Sequence, residues 1–412
     1  MQHTETVEIS GHLMDSGILS QVLDDIREYG GDYVIERFDV GHDAGDPSYA
    51  QIQVAAEDDE ALQRLLMRLQ TRGVNQTDPG EATIAEADAD GVFPDGFYST
   101  TNLETKVRLD GAWIRVDNPE MDCGLVVEQV EGARRVRTLP MVDVRRGMQI
   151  VAGASGIRVE PLRTDRSEES FGFMESDVSS EKPQAVLVRQ VADGMRQAKA
   201  NGQNVLWVGG PGVVHTGAAP AMVELVKAGF VDVLFAGNAL ATHDIESSLY
   251  GTSLGIDLAV GKGVEHGHEH HIRAINTIRK AGSIRAAVEQ GVLTGGIMHA
   301  LVTAGKEFVL VGSVRDDGPL PDVYTDVIEG QRAMRAGLTD VGFCLMVATM
   351  LHSVATGNIL PASVPLVCVD INPATVTKLA DRGSSQARGI VTDVGLFVEQ
   401  LAGELVPDYR RR

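Results

Sequence analysis

The sequence predicts an α/β protein in three parts, and three patterns carry that expectation. Residues 1–90 order their apolar periodicities as β-α-β-β-α-β, the order of a ferredoxin-like sheet. Residues 91–163 break into short strands punctuated by Gly, Asp and Asn, as a small β domain does. Residues 184–412 alternate continuous apolar runs with helical stretches, the pattern of a parallel sheet covered on both faces.

In the first part, Val7–Leu13 is a strand, and Ile18, Val22 and Ile26 follow at helical spacing. Tyr33–Val40 and Tyr49–Ala55 are strands, the second alternating through Ile52 and Val54. Leu62, Leu65, Leu66 and Leu69 form an i, i+3, i+4, i+7 stripe, so a helix comes next. Ala82–Ala87 is then expected to close a four-stranded sheet. No pattern in this part points to catalysis.

The second part offers Lys106–Leu109, Trp113–Val116, Leu125–Val130, Arg135–Leu139 and Met148–Val151 as strands. The polar stretch Thr164–Pro183, rich in Ser, Glu and Asp, reads as a linker or loop.

In the third part each apolar strand ends on glycine or a small polar residue. Val205–Val208 precedes Gly209-Gly210-Pro211-Gly212, and Val233–Phe235 precedes Gly237-Asn238. Phe308–Val311 precedes Gly312-Ser313, Val364–Val369 precedes Asp370, and Ile390–Val391 precedes Thr392-Asp393. Ligands of such sheets bind just beyond the carboxyl ends of the strands, where these residues stand. The most apolar stretch, Val341–Leu351, is too short to span a bilayer and is expected as a buried helix ending near His352.

A length of 412 residues fits two or three domains. The net charge of -22 argues against nucleic acid or an anionic membrane as a main partner. It is compatible with a cationic substrate, although a solvated acidic surface is the stronger reading of it. The three cysteines, Cys123, Cys344 and Cys368, form no CxxC pair and make no disulfide framework, which fits a reducing cytoplasm. Met1–Ser10 is polar and acidic, unlike a signal peptide.

Several residues are placed for chemistry. The turn after Val208 brings glycines and a helix start together, as phosphate-binding loops do, but it departs from GxGxxG because Val213, Val214 and His215 follow Gly212. Asp370 is either an acceptor for ribose hydroxyls or a cap before Asn372-Pro373. Asn238 carries an amide able to donate and accept. Asp316-Asp317-Gly318-Pro319-Leu320-Pro321 is a stiff acidic turn, either surface structure or a source of a carboxylate near the reacting centre. His266, His268, His270 and His271 resemble metal ligands in type, but the interleaved Glu265 and Glu269 and the following Ile272, Ile275 and Ile278 read as a solvated start to an amphipathic helix. No metal is expected. Cys123 stands in no readable triad and is expected as a free buried thiol.

Longer motifs carry a resemblance. Gly11-His12-Leu13-Met14-Asp15-Ser16, Gly30-Gly31-Asp32 and Asp46-Pro47-Ser48-Tyr49-Ala50 resemble the conserved region named after the bifunctional lysine–ketoglutarate reductase/saccharopine dehydrogenase. Phe93-Pro94-Asp95-Gly96-Phe97-Tyr98-Ser99-Thr100-Thr101-Asn102 and Glu120-Met121-Asp122-Cys123 resemble archaeal-type ornithine cyclodeaminases. These also form the C-terminal part of cyanobacterial arginine dihydrolase/ornithine cyclodeaminase fusions, whose dihydrolase domain this sequence lacks. Gly237-Asn238-Ala239-Leu240-Ala241-Thr242-His243-Asp244-Ile245-Glu246 is similar to the NAD-binding domain of deoxyhypusine synthase, a Rossmann-like variant.

The resemblance implies NAD as cofactor, with contacts at Asn238, Ala239, Asp317, Thr349, Met350, Leu351, His352, Asp370, Asp393 and Val394. It implies ornithine as the substrate and a redox-neutral reaction: hydride leaves Cα, the δ-amine closes the ring, ammonia departs, and hydride returns to give proline. Asp317 and His243 are the candidates for the acid and base such chemistry needs. Arg315 or the Ser99–Asn102 segment would hold the substrate carboxylate. A cytoplasmic homo-oligomer is expected. Two other readings stay open: a lysine- or saccharopine-pathway oxidoreductase, and a non-catalytic protein sensing NAD or amino acids.

Overall fold

The apolar alternation at the start of the chain becomes β1 (His3–Gly11), α1 (Ile18–Glu28), β2 (Asp32–Asp39), β3 (Ser48–Ala56), α2 (Asp59–Gln70) and β4 (Asn75–Gln76) in the computed structural model. It describes residues 3–13, 17–41, 46–160, 184–254, 256–257, 269–313, 319–381 and 387–410. These strands form a four-stranded sheet in the order β2-β3-β1-β4, the ferredoxin-like order. Every second residue of β3 is buried, so Ala50, Ile52 and Val54 join Val7 and Ile9 on one face. That face packs on the leucine stripe of α2 and on Val22 and Ile26 of α1. Asp58 starts α2 by accepting from Ala61 N at 2.7 Å.

The chain continues through β5 (Thr83–Glu86), β6 (Thr105–Leu109), β7 (Ala112–Asp117), β8 (Gly124–Val130), β9 (Ala133–Leu139), β10 (Gln149–Ala152) and β11 (Ile157–Val159). They make a seven-stranded sheet ordered β11-β6-β7-β9-β8-β10-β5. Here one expectation fails. Ala82–Ala87 does not close the first sheet, because β5 pairs with β10 instead, Ile84 opposite Val151. The fourth position goes to Asn75 and Gln76, two polar residues with no strand periodicity. Asn75 is held there through its amide, which accepts from Val159 N and donates to Val159 O. These two sheets and residues 358–363 form one compact unit.

The second unit spans residues 173–357 and 364–412. Its elements are α3 (Gln184–Ala200), β12 (Asn204–Gly209), α4 (Gly212–His215), α5 (Ala219–Lys227), β13 (Val233–Ala236), α6 (Asn238–Tyr250), β14 (Thr252–Ser253) and β15 (Ile256–Asp257). After these come α7 (His270–Ala281), α8 (Ile284–Glu289), α9 (Gly296–Thr303), β16 (Glu307–Val311), β17 (Val323–Tyr324), α10 (Val327–Ala336) and β18 (Val341–Val347). The last are α11 (Leu351–Ile359), β19 (Leu366–Asp370), α12 (Pro373–Asp381), β20 (Ala387–Val391) and α13 (Val394–Leu405). The parallel sheet runs β17-β16-β13-β12-β18-β19-β20. Its central strands are buried along their length, as a sheet with helices on both faces requires.

The stretch Val341–Leu351 is not a helix. Its first seven residues are β18, paired with β12 on one side and β19 on the other. A short apolar run satisfies either element, and here the left-handed residues Asp340 (φ 57°) and Ala348 (φ 52°) bound it as a strand. At the amino edge of this sheet, buried Asp232 accepts from Lys199 Nζ at 2.7 Å, Lys306 Nζ at 2.6 Å and Val205 N at 2.9 Å. The expected linker Thr164–Pro183 lies outside the described residues.

Candidate active site at the carboxyl edge of the parallel sheet

The strand order reverses between β12 and β18: β13, β16 and β17 extend from β12 one way, β19 and β20 from β18 the other. A crevice at such a reversal is where open α/β sheets bind ligands. Gly210 N donates to Val347 O at 2.9 Å, so the glycine turn after β12 lies against the end of β18. The run Thr349-Met350-Leu351-His352 follows directly. It was expected inside a helix; it is in fact the turn off a central strand and the first residues of α11.

The residues gathered at this edge are polar acceptors and exposed apolar groups. Leu351 is 78% exposed and Ile371 70%, unusual for large aliphatic side chains beside a sheet core. Asp370 ends β19 and is buried; its Oδ1 accepts from Asn372 N at 2.8 Å, so it also caps the turn into α12. Exposed Asp393 caps α13 by accepting from Leu396 N at 2.7 Å, with buried Val394 next to it. On the other side of β12, Asn238 opens α6. Its N–H donates to Gly312 O and its Oδ1 accepts from Leu320 N at 3.1 Å; Ala239 beside it is half-buried. His352 Nε2 donates to Val311 O at 2.9 Å, and burial lowers the pKa of the ring below its ordinary value. This donor and acceptor set fits a dinucleotide: a strand-end carboxylate for ribose hydroxyls, amide and backbone groups, and apolar side chains for the flat ring. Asp317 and Arg315 lie outside the described residues.

Deeper in α6 a second cluster forms. His243 and Glu246 stand three residues apart on one face, and His243 Nδ1 meets Glu246 Oε2 at 2.8 Å. Thr252 Oγ1 donates to Glu246 Oε1 at 2.9 Å and Leu254 N donates to Oε2 at 3.2 Å. His270 Nδ1 lies 2.8 Å from Thr252 Oγ1, and its ring stacks on Tyr250 at 4.9 Å. His215 meets His243 edge-on at 4.8 Å and Ser253 Oγ at 2.7 Å. Burial, then His243, lowers the His215 pKa. The solvated-start reading of the histidine tract therefore misses His270, which belongs to this network; His266 and His268 lie outside the described residues. Among the described residues no group of His, Cys, Asp or Glu is placed to hold a metal. Sequence reasoning passed over Glu246, Thr252 and His215; the i, i+3 spacing of His243 and Glu246 was the one signal present.

Next to His243, Asp244 turns the other way. Its two oxygens accept from Ile297 N and Met298 N, both at 2.8 Å, at the start of α9. Burial pushes its carboxyl up to about 6 against those two bonds. An open groove of about 700 Å3 passes Asp244, Ser247 and Gly296 and is walled by Val406–Arg410, away from the strand ends.

In the first unit, the Phe93–Asn102 and Glu120–Cys123 motifs pack together. Thr100 Oγ1 donates to Glu120 O at 2.7 Å and accepts from Cys123 N at 3.0 Å, and Cys123 Sγ donates to Glu120 Oε1 at 3.0 Å. All three cysteines are buried thiols in no disulfide, as expected of Cys123.

Three family descriptions match the chain in succession. Residues 4–103 match the LOR/SDH bifunctional enzyme conserved region, residues 104–188 the first region of the arginine dihydrolase ArgZ-like C-terminal part, and residues 189–401 its Rossmann fold. An ornithine cyclodeaminase of Methanothermobacter thermautotrophicus is 51% identical over 98% of both chains. That of Methanocaldococcus jannaschii is 49% identical over 97% of this chain and 95% of its own. The bifunctional arginine dihydrolase/ornithine cyclodeaminase AgrE of Nostoc is 40% identical over 97% of this chain and 58% of its own. Among solved structures, apo ArgZ from cyanobacteria superposes with a TM-score of 0.84 at 34% identity, over 98% of this chain and 58% of that one. The ternary complex of AgrE with ornithine and NAD+ gives 0.52 at 39% identity, again over 98% and 58%. This chain belongs to the ornithine cyclodeaminase family, with an N-terminal LOR/SDH conserved region and an ArgZ-like Rossmann-fold region.

Proposed function

We propose that this chain is an NAD-dependent ornithine cyclodeaminase, converting L-ornithine to L-proline and ammonia. One observation carries the reading: a chain 51% identical along its length to an ornithine cyclodeaminase gathers a dinucleotide-type set of groups at the reversal of its parallel sheet. When bound, NAD supplies a hydride acceptor that returns the hydride to the same substrate carbon.

The chain's own residues bind, orient and move protons. Asp370 takes the ribose hydroxyls, Asn238 and Ala239 and the Thr349–His352 run line the same edge, and Asp393 with Val394 closes it. Asp317 and His243 take the acid–base roles: one group keeps the reacting amine neutral, the other protonates departing ammonia. Exclusion of water matters, because the imine formed on the substrate hydrolyses readily. A cytoplasmic homo-oligomer completes the reading.

Ornithine deuterated at Cα, supplied with catalytic NAD+, is expected to give proline retaining most of the label, with ammonia equal to proline and no accumulating NADH. One equivalent of NADH made or consumed per turnover would mark a conventional lysine- or saccharopine-pathway oxidoreductase instead. No ammonia from ornithine would favour a sensing protein.

Cofactor choice gives a second expectation. A carboxylate at the end of β19 repels a 2′-phosphate, so NAD should bind at least about tenfold more tightly than NADP. Asp370→Ser should narrow that ratio in a fluorescence titration. Equal binding of the two by the unmodified protein would remove Asp370 from the ribose site.

A further inference from the structure

Helix α6 is buried on nearly every side, from Asn238 through Glu246. A carboxylate in such surroundings costs several kcal/mol unless its oxygens are satisfied. Glu246 is 0% exposed, and His243, Thr252 and the backbone of Leu254 all address its two oxygens. A carboxylate oxygen in this arrangement accepts, so the His243 nitrogen facing it carries the proton. That leaves Nε2 of His243 as the lone-pair nitrogen.

We propose that Glu246 is the positioning residue of the reaction, fixing His243 in the tautomer with hydrogen on Nδ1 so that Nε2 takes the proton from the substrate amine. The assignment rests on the reading of His243 as an acid–base group. It deepens that reading by naming what makes an imidazole buried at 3% exposure competent. When Nε2 gains a proton, the ring becomes a cation, and Glu246 stabilises it without itself being protonated; this is the division of labour of carboxylate–histidine pairs generally. Thr252 is the strut. Its hydroxyl donates to Oε1 and is met from the far side by His270 Nδ1, so the carboxylate cannot rotate away from His243.

The groups around the pair are consistent with a single protonation event. From α4, His215 faces the His243 ring at 4.8 Å, and burial disfavours its charged form. From α7, His271 lies at 6.4 Å and His270 is engaged by Thr252. Among the described residues hydrogen-bonded within the cluster, Glu246 is the carboxylate that balances an imidazolium at His243.

The test uses the full chain with NAD bound, and three readouts: kcat and KM for ornithine, the thermal unfolding midpoint, and histidine 15N NMR, with the His243 signal assigned by its loss in His243→Gln. In the unmodified protein His243 should show the Nδ1–H tautomer. Glu246→Gln keeps the shape but turns one acceptor into a donor. It should lower kcat about 100-fold or more, leave KM within a few-fold, and move His243 off that tautomer. Thr252→Val should produce the same signature at about tenfold. Glu246→Gln combined with His243→Gln should be no slower than His243→Gln alone, because the two act as one unit. If His243→Gln turns over normally, the acid–base reading of His243 falls, and this inference with it. If His243→Gln is inactive while a folded Glu246→Gln keeps its kcat and its His243 tautomer, this inference alone is overturned. Should Glu246→Gln fail to fold, Thr252→Val decides by the same two signals: unchanged turnover and tautomer overturn the proposal.

Discussion

A Gly210→Ala variant should lose NAD binding and lower the stability of the second unit by at least about 3 kcal/mol. A methyl group at Gly210 would lie 1.8 Å from Ala348 O and 2.7 Å from its carbonyl carbon. Real Cβ atoms essentially never approach a heavy atom within 3.0 Å, and the obstacle here is backbone. Neither side can retreat. Gly209 is registered opposite Val347 in the parallel ladder, and Gly210 N is bonded to Val347 O at 2.9 Å. Relief would require opening the two central strands at the point where the sheet reverses direction, where we place the dinucleotide. The demand for glycine here comes from close approach, not from a left-handed backbone. Gly403, in α13, has nothing within 4 Å of its own Cβ position, and Gly403→Ala should be neutral or stabilising by about 0.5–1 kcal/mol. Denaturant midpoints and a nucleotide titration compare the two. Equal behaviour would mean that the turn after β12 yields easily.

Asp232→Ala should cost about 1–3 kcal/mol, because it removes the acceptor of a buried backbone N–H and the partner of two partly exposed ammonium groups. Lys199, Lys306 and Val205 N all converge on this carboxylate, which is 8% exposed. It ties α3, β12 and the start of β16 together at the amino edge. Burial pushes the Asp232 carboxyl up, but the two ammonium groups and the backbone N–H outweigh it and hold it below its ordinary value. A depressed carboxyl contributes stability above its unfolded pKa near 4 and loses it as pH falls through the lower folded value. The unmodified protein should therefore weaken below about pH 4 more steeply than Asp232→Asn. Asp193, paired with Arg196 on the exposed face of α3, makes the contrast: Asp193→Ala should cost less than about 0.5 kcal/mol. Unfolding midpoints at pH 3 to 7 test both. A loss at Asp232 no larger than at Asp193 would show the cluster to be solvent-screened.

The strands that the sequence revealed are those whose neighbours do not matter to the pattern. β12, β13, β16 and β19 each carry an apolar run and stop on Gly, Asn or Asp, and the Ile390-Val391 end of β20 runs into Thr392-Asp393, so both the strand and its polar end could be read locally. The candidates Asn238 and Asp370 followed from that punctuation; Asp393 stands at such an end too, but the resemblance made it a candidate. The Thr349–His352 run did not, because its place depends on β18. That strand is as apolar as a buried helix of the same length, and only its pairing between β12 and β19 separates the two.

What the sequence by itself determined is the α/β class, the ferredoxin-like order of the first elements, the short strands of the middle part and the polar ends of the parallel strands. These follow from periodicity and turn chemistry, which act over a few residues. The tertiary structure decided the rest. It gave β5 to β10 rather than to the first sheet, and β4 to two polar residues held through Asn75. It brought Thr252, His270 and His215 to the His243–Glu246 pair from three other elements. Such contacts join residues of different elements, and a hydrogen bond made by a side chain leaves no periodic trace at either end; only the closure of the sheet and the burial of α6 select them.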